Sequence, residues 1–166
     1  TLNPTVDIAS DADRVRPVHK VRTKNETFDP GGGGVNVSRV LRELGTETLA
    51  VVTAGGVSGR LLEELLDAGG VPRASVPQGP TLSETEWRAA LAALDASESG
   101  WIVASGSLPR GVPDDFYARA AADAKRRGKR FVLDTSGAPL RAALGHGLAL
   151  IKPSRGEFEA LVGGVS

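Results

Sequence analysis

Apolar residues at 35, 37, 40, 41 and 44 recur at the spacing of one helical face, and Gly45 stands where such a helix would stop. The same reading gives helices over 60–68, capped by Ser58, and over 84–96, where Ser83 and Glu86 form the capping-box pattern. Further helices are expected from Pro113-Asp114-Asp115 to Arg127, over 140–144 and from Arg155 to Leu161. Between them lie short apolar runs of strand length: 2–9, 49–54, 101–104, 131–134 and 148–151. Residues 11–29 are polar with scattered valines and predict a weak two-strand flap. After 71–76 the chain runs into Pro77-Gln78-Gly79-Pro80 with no strand to finish what that segment begins. This looks like a broken joint.

Strand and helix alternate with short turns, which predicts a mostly parallel sheet covered by helices on both faces. Ligands in such sheets sit beyond the carboxyl ends of the strands. The loops to read for chemistry are therefore 55–57, 105–111, 135–139 and 152–155.

The most informative junction is Gly31–Gly34 running straight into the first helix. Glycine lets a ligand approach the main chain, and a helix start offers unpaired N–H groups with a partial positive charge. Together they suit an oxygen-rich or anionic small molecule. A plain flexible turn is the alternative.

Composition narrows the partners. Lys and Arg number 20, as do Asp and Glu, so no charge excess points to nucleic acid. No apolar run approaches the roughly 18 residues that span a bilayer. Cysteine is absent, which excludes a disulfide framework and agrees with a reducing cytoplasm. Methionine is absent too, and Thr1-Leu2-Asn3-Pro4 reads like the inside of a first strand. The chain is expected to be part of a longer protein.

Several chemistries fail on spacing. The glycine run has Asn36 where a Rossmann loop needs its last glycine, and no P-loop string exists. Two histidines without cysteine make a zinc site a poor prospect. Ser105-Gly106-Ser107 lacks the hydrolase elbow. What remains is a set of polar residues beside turns. Asp7 could accept hydrogen bonds from sugar hydroxyls or be a solvated turn residue. Asn36 could bind a ligand or cap its helix. Glu157, in a first helical turn, is equally a cap or a metal-associated carboxylate.

Five strings occur in order: Thr1-Leu2-Asn3-Pro4-Thr5-Val6-Asp7, Pro30-Gly31-Gly32-Gly33-Gly34-Val35-Asn36-Val37-Ser38-Arg39, Ala54-Gly55-Gly56, Ser105-Gly106-Ser107-Leu108-Pro109, and Lys152-Pro153-Ser154 with Glu157. Together they resemble the ribokinase-like sugar kinases, in the branch acting on phosphosugars. That branch contains the type II 6-phosphofructokinases, the 1-phosphofructokinases and the tagatose-6-phosphate kinases. Glycine at Gly33, where 1-phosphofructokinase-like members usually carry lysine, resembles the type II 6-phosphofructokinases.

The resemblance implies a three-layer α/β sandwich with a mostly parallel central sheet and a small β lid. Residues 1–166 would be one incomplete kinase domain, with 11–29 and 71–78 as remnants of the lid. It implies a cytoplasmic homodimer, joined through the lid, that uses ATP and Mg2+ to phosphorylate the 1-hydroxyl of fructose 6-phosphate. Asp7, Gly32, Gly33, Asn36 and Ser107 would bind the sugar phosphate. Lys20, reaching across a dimer interface, would join Lys152 and Ser154 on the nucleotide side, with Glu157 near the magnesium ion. The family's catalytic aspartate, in a Gly-Ala-Gly-Asp loop, would lie beyond Ser166, and the lid's phosphate-gripping arginine is missing. Ser154 replaces the usual asparagine. Rivals are a 1-phosphofructokinase, a tagatose-6-phosphate kinase, a nucleoside kinase and, from another class, a non-catalytic sugar-phosphate-binding module.

Overall fold

A computed structural model describes residues 1–79 and 81–163; Pro80, at the end of the Pro77-Gln78-Gly79-Pro80 segment, and residues 164–166 of the expected single domain lie outside them. The chain opens with strand β1 (Thr5–Asp11), which pairs antiparallel with β2 (Lys24–Gly31), setting Val6 opposite Pro30 and Ile8 opposite Phe28. Helix α1 (Gly33–Glu43) follows at once. Strand β3 (Ala50–Ala54), helix α2 (Gly56–Ala68) and strand β4 (Arg73–Pro77) form a βαβ unit with β3 and β4 parallel. Helix α3 (Glu84–Ala96) leads to β5 (Trp101–Ser105), α4 (Phe116–Arg126), β6 (Arg130–Asp134), α5 (Gly137–Ala143), β7 (Leu150–Ile151) and α6 (Arg155–Val162). Strands β5, β6 and β7 are parallel neighbours in that order.

Two apolar clusters account for the layers. Val35 of α1, Leu62 and Leu66 of α2, Ala50 and Val52 of β3 and the adjoining Val71 pack together on one side. On the other, α3, α4 and α5 bury Trp87, Phe116, Ala121 and Leu140 against Ile102, Phe131 and Leu133 of β5 and β6. The alanine-rich face of α4, with Ala118, Ala120, Ala121 and Ala124 buried, lets the helix lie close to the sheet. Phe116 anchors it, standing edge-on to Trp87 (6.3 Å, 85°) and to Tyr117 (5.6 Å, 79°). Removing a fully buried ring of this kind costs about 3–5 kcal/mol.

The parallel α/β expectation therefore holds, and four local expectations are corrected. The polar stretch 11–29 yields one strand, β2, while residues 12–23 form none, because only 24–31 lie opposite β1 with register to pair. Residues 73–77 are not a lid remnant: β4 runs beside β3, with Val76 buried in the main core. The joint at Pro77-Gln78 is thus continuous with the sheet, and Gln78 N donates to Ala54 O at 3.0 Å. Ser58 is not a cap, since α2 begins two residues earlier with Gly55 in that position. The first strand starts at Thr5 rather than at Leu2.

Candidate functional site

The glycine run is tight because three other segments crowd it. A side chain on Gly31 would collide with the Asp7 carboxylate, and one on Gly33 would collide with the Ser105 hydroxyl. Gly32 has φ +97° and lies against Pro4, so both its backbone conformation and its surroundings demand glycine. Gly32 is also the N-cap of α1, which has no side-chain cap and no acidic residue in its first turn. The first amides of α1 are thus left for an incoming acceptor. Asn36 N donates to Gly32 O at 3.0 Å, and the Asn36 side chain is exposed beside that start.

The loop after β5 is held from beneath. Gly106 O accepts from the Tyr117 hydroxyl at 2.9 Å and from Thr135 Oγ1 at 3.0 Å, and Gly106 N donates to Asp134 O at 2.9 Å. Burial pushes the Tyr117 phenol far above its ordinary range, so it stays a neutral donor. Ser107 Oγ accepts from Asn3 Nδ2 at 3.0 Å, which ties this loop to the start of the chain. Ser105 Oγ donates to Asp134 Oδ2 at 3.2 Å. The other oxygen of Asp134 pairs with Lys152 Nζ at 3.2 Å.

Thus Asp7, Gly32, Gly33, Asn36 and Ser107 come together from three segments, and Lys152 is joined to them through Asp134 and Ser105. Ser154 and Glu157 stand at the start of α6, where they close a capping box: Ser154 N donates to Glu157 Oε2 at 2.6 Å, and Glu157 N donates to Ser154 Oγ at 3.3 Å. Of the two roles open to Glu157, capping is the one the geometry displays. Among the described residues, no three His, Cys, Asp or Glu side chains converge to hold a metal. Lys20 is not brought to the group; it lies exposed in the irregular 12–23 segment without an ion-pair partner among the described residues.

Sequence reasoning missed Asp134 and Asn3 as individual contributors. Asp134 ends β6, and a carboxylate at the carboxyl end of a parallel strand is the signal that could have found it. It also missed Thr53, whose Oγ1 donates to Leu2 O at 2.8 Å and lies 2.6 Å from Gln78 Oε1. Asn3, Thr53 and Gln78 border a cleft of about 380 Å³ between the start of β1 and the uncapped start of α2 at Gly55 and Gly56. That cleft adjoins the glycine run without being lined by it.

The fold and these carboxyl-end loops define an α/β domain with a crowded glycine turn at an uncapped helix start. Residues 1–91 match the pfkB family carbohydrate kinases, and the chain belongs to that family. It is 36% identical over 189 aligned residues to ATP-dependent 6-phosphofructokinase isozyme 2 of Mycobacterium tuberculosis strain H37Rv, covering 98% of this chain and 56% of that protein. It is 31% identical to the D-tagatose-1-phosphate kinase of Bacillus licheniformis, covering 96% of this chain and 60% of that one. The crystal structure of Escherichia coli phosphofructokinase-2 in complex with fructose-6-phosphate superposes with a TM-score of 0.89 at 34% identity, covering 99% of this chain and 63% of that one. The chain therefore spans little more than half the length of these relatives.

Proposed function

We propose that this chain supplies the sugar-binding half of an ATP-dependent kinase that phosphorylates the 1-hydroxyl of fructose 6-phosphate. The observation that carries this is the glycine run, held between Asp7 and Ser105 at the uncapped start of α1. The identity to a 6-phosphofructokinase across nearly the whole chain supports it.

In this arrangement Asp7 accepts hydrogen bonds from sugar hydroxyls, and its Oδ1 is already oriented by the Thr5 hydroxyl at 2.9 Å. The main chain at Gly32 and Gly33, with the Asn36 amide, holds the sugar against the backbone. Ser107, fixed by Asn3, contacts the phosphorylated ketose. Lys152 offers positive charge to the nucleotide phosphates, and Asp134 holds it in place. Ser154 sets the turn that presents it, and Lys20 is a further cation for phosphate once a second subunit completes the site. Phosphoryl transfer asks mostly for positioning and charge neutralisation, which these residues provide. The 1-hydroxyl oxygen attacks the γ-phosphorus, the bond to the bridging oxygen of ADP breaks, and the hydroxyl proton leaves to a base. None of the described residues is assigned as that base.

Magnesium held mainly by nucleotide phosphates needs only one or two protein carboxylates. A single acid fixed at a helix start fits that demand, and Glu157 is the one that would contribute to holding the ion. When bound, the ion would neutralise phosphate charge. A homodimer through the β1–β2 ribbon is part of the same reading, supported by the exposed cross-strand pair Ile8 and Phe28. A cytoplasmic setting is part of the same proposal.

The relative that acts on D-tagatose 1-phosphate supports a second reading, in which a ketose 1-phosphate is the substrate. Turnover of the intact gene product with ATP and magnesium on fructose 6-phosphate, fructose 1-phosphate, tagatose 6-phosphate and tagatose 1-phosphate decides between them. Fastest ADP release with fructose 6-phosphate is expected. Preference for a 1-phosphate overturns the choice of sugar, and no ADP with any of them favours a non-catalytic binding module.

A further inference from the structure

Gln78 and Gly79, which follow β4, are clamped from two sides. Gln78 N donates to Ala54 O at 3.0 Å, and Gly79 N donates to Glu86 Oε1 at 3.1 Å. The Gln78 carbonyl presses against Gly55, where any side chain would collide with it. Backbone held at successive peptides presents its side chain in a fixed place, which recognition of a small molecule requires.

The Gln78 side chain borders the cleft of about 380 Å³ at the carboxyl ends of β3 and β4. That cleft is continuous with the proposed sugar site. Asn3 and Thr5 belong to its wall, and they donate to Ser107 Oγ at 3.0 Å and to Asp7 Oδ1 at 2.9 Å. The side chains that hold Ser107 and Asp7 in place therefore also line the cleft.

Hydrogen-bond accounting fixes how Gln78 sits. Thr53 is 1% exposed, and its hydroxyl lies 2.8 Å from Leu2 O and 2.6 Å from Gln78 Oε1. A hydroxyl has one proton and cannot donate to both. With the Gln78 amide turned to bring Nε2 to Thr53, the hydroxyl accepts from Gln78 and donates to Leu2 O, and each group is satisfied. Gln78 Oε1 is then the unused acceptor of a half-buried side chain on the cleft wall. Asn3, whose Nδ2 is committed to Ser107, likewise has Oδ1 left to accept. Uncharged acceptors recognise hydroxyl groups, whereas an ionised phosphate offers only acceptors of its own.

We propose that Gln78 is a specificity-determining residue whose Oε1 accepts a hydrogen bond from a ring hydroxyl of the ketose phosphate, a role that rests on the reading of this chain as the sugar-binding half of a kinase. Thr53 and Gly55 are the residues that aim it.

The test compares the intact gene product with its Gln78→Met variant, which keeps the length of the side chain without the amide. Calorimetry measures fructose 6-phosphate binding without ATP, and ADP release gives the KM for each substrate. Gln78→Met should weaken fructose 6-phosphate binding and raise its KM by about five- to ten-fold, the worth of one hydrogen bond, with the KM for ATP unchanged. Among analogues lacking the 2-, 3- or 4-hydroxyl in turn, one should bind the parent weakly and lose nothing further in Gln78→Met. Gln78→Ser, too short to reach the sugar, serves should the first variant fail to fold. Equal affinity of parent and variant would overturn the proposal alone. A loss that persists in full with every analogue would also overturn it, because the amide would then act only through Thr53 and Leu2. A parent that binds no fructose 6-phosphate overturns the kinase reading itself, and this role with it.

Discussion

Gly33 lays its bare Cα against the hydroxyl of Ser105, and that hydroxyl donates to Asp134 at 3.2 Å. The glycine is set by sterics and not by an unusual backbone, since its φ is not positive. A methyl group at 33 must therefore move either α1 or β5. Gly33→Ala should destabilise the fold by about 1–3 kcal/mol in urea unfolding, as overpacking does. It should also weaken fructose 6-phosphate binding measured by calorimetry. Adding Ser105→Gly should recover most of the stability, because it removes the atom in the way.

Asp134 accepts from Ser105 beside the glycine run and pairs with Lys152, the residue proposed for the nucleotide phosphates. Lys152 is 72% exposed, so the ion pair itself adds less than about 1 kcal/mol to stability. Its importance lies in orientation. In the intact enzyme, Asp134→Asn should leave the urea midpoint nearly unchanged while raising KM for ATP several-fold. An unchanged KM would show that Lys152 finds its place unaided.

The helices were legible in the sequence wherever apolar spacing and caps agreed, as at Ser83 and Glu86, where the expected capping box is present. Residues 71–78 were not, because a strand that pairs with a distant neighbour carries no local sign of its partner. Ser58 misled for a related reason: a serine near a helix start signals a cap, but two glycines before it let the helix begin earlier. For the candidate site, the glycine run stood out in the sequence itself, whereas Asp7 was open to a solvated-turn role and entered only with the family resemblance. Asp134 could not be found, since its role depends on β5, β6 and β7 lying side by side.

A polypeptide that starts at Thr1 should show a specific pH dependence. Its amine titrates at about 6 when folded, against 8.0 for an ordinary one. Between those values the unfolded chain binds more protons, so stability rises with pH across that window. The gain is at most about 3 kcal/mol, with the full penalty present below pH 6. Urea midpoints at about pH 5.5 and 8.5 should differ accordingly. Acetylating the amine should remove the slope.

Glu157 offers a separation of structural from chemical roles. Its carboxylate accepts from Ser154 N in a capping box, and glutamine keeps an oxygen able to do the same. Glu157→Gln should therefore leave α6 and the thermal midpoint close to those of the parent. If the carboxylate also helps to hold nucleotide-bound magnesium, turnover of the intact enzyme should fall by about ten-fold or more and recover partly at raised magnesium. Ser154→Ala tests the other half: it removes the acceptor for Glu157 N and should lower the midpoint by the equivalent of about 1 kcal/mol. Full activity in Glu157→Gln at low magnesium would confine this residue to capping.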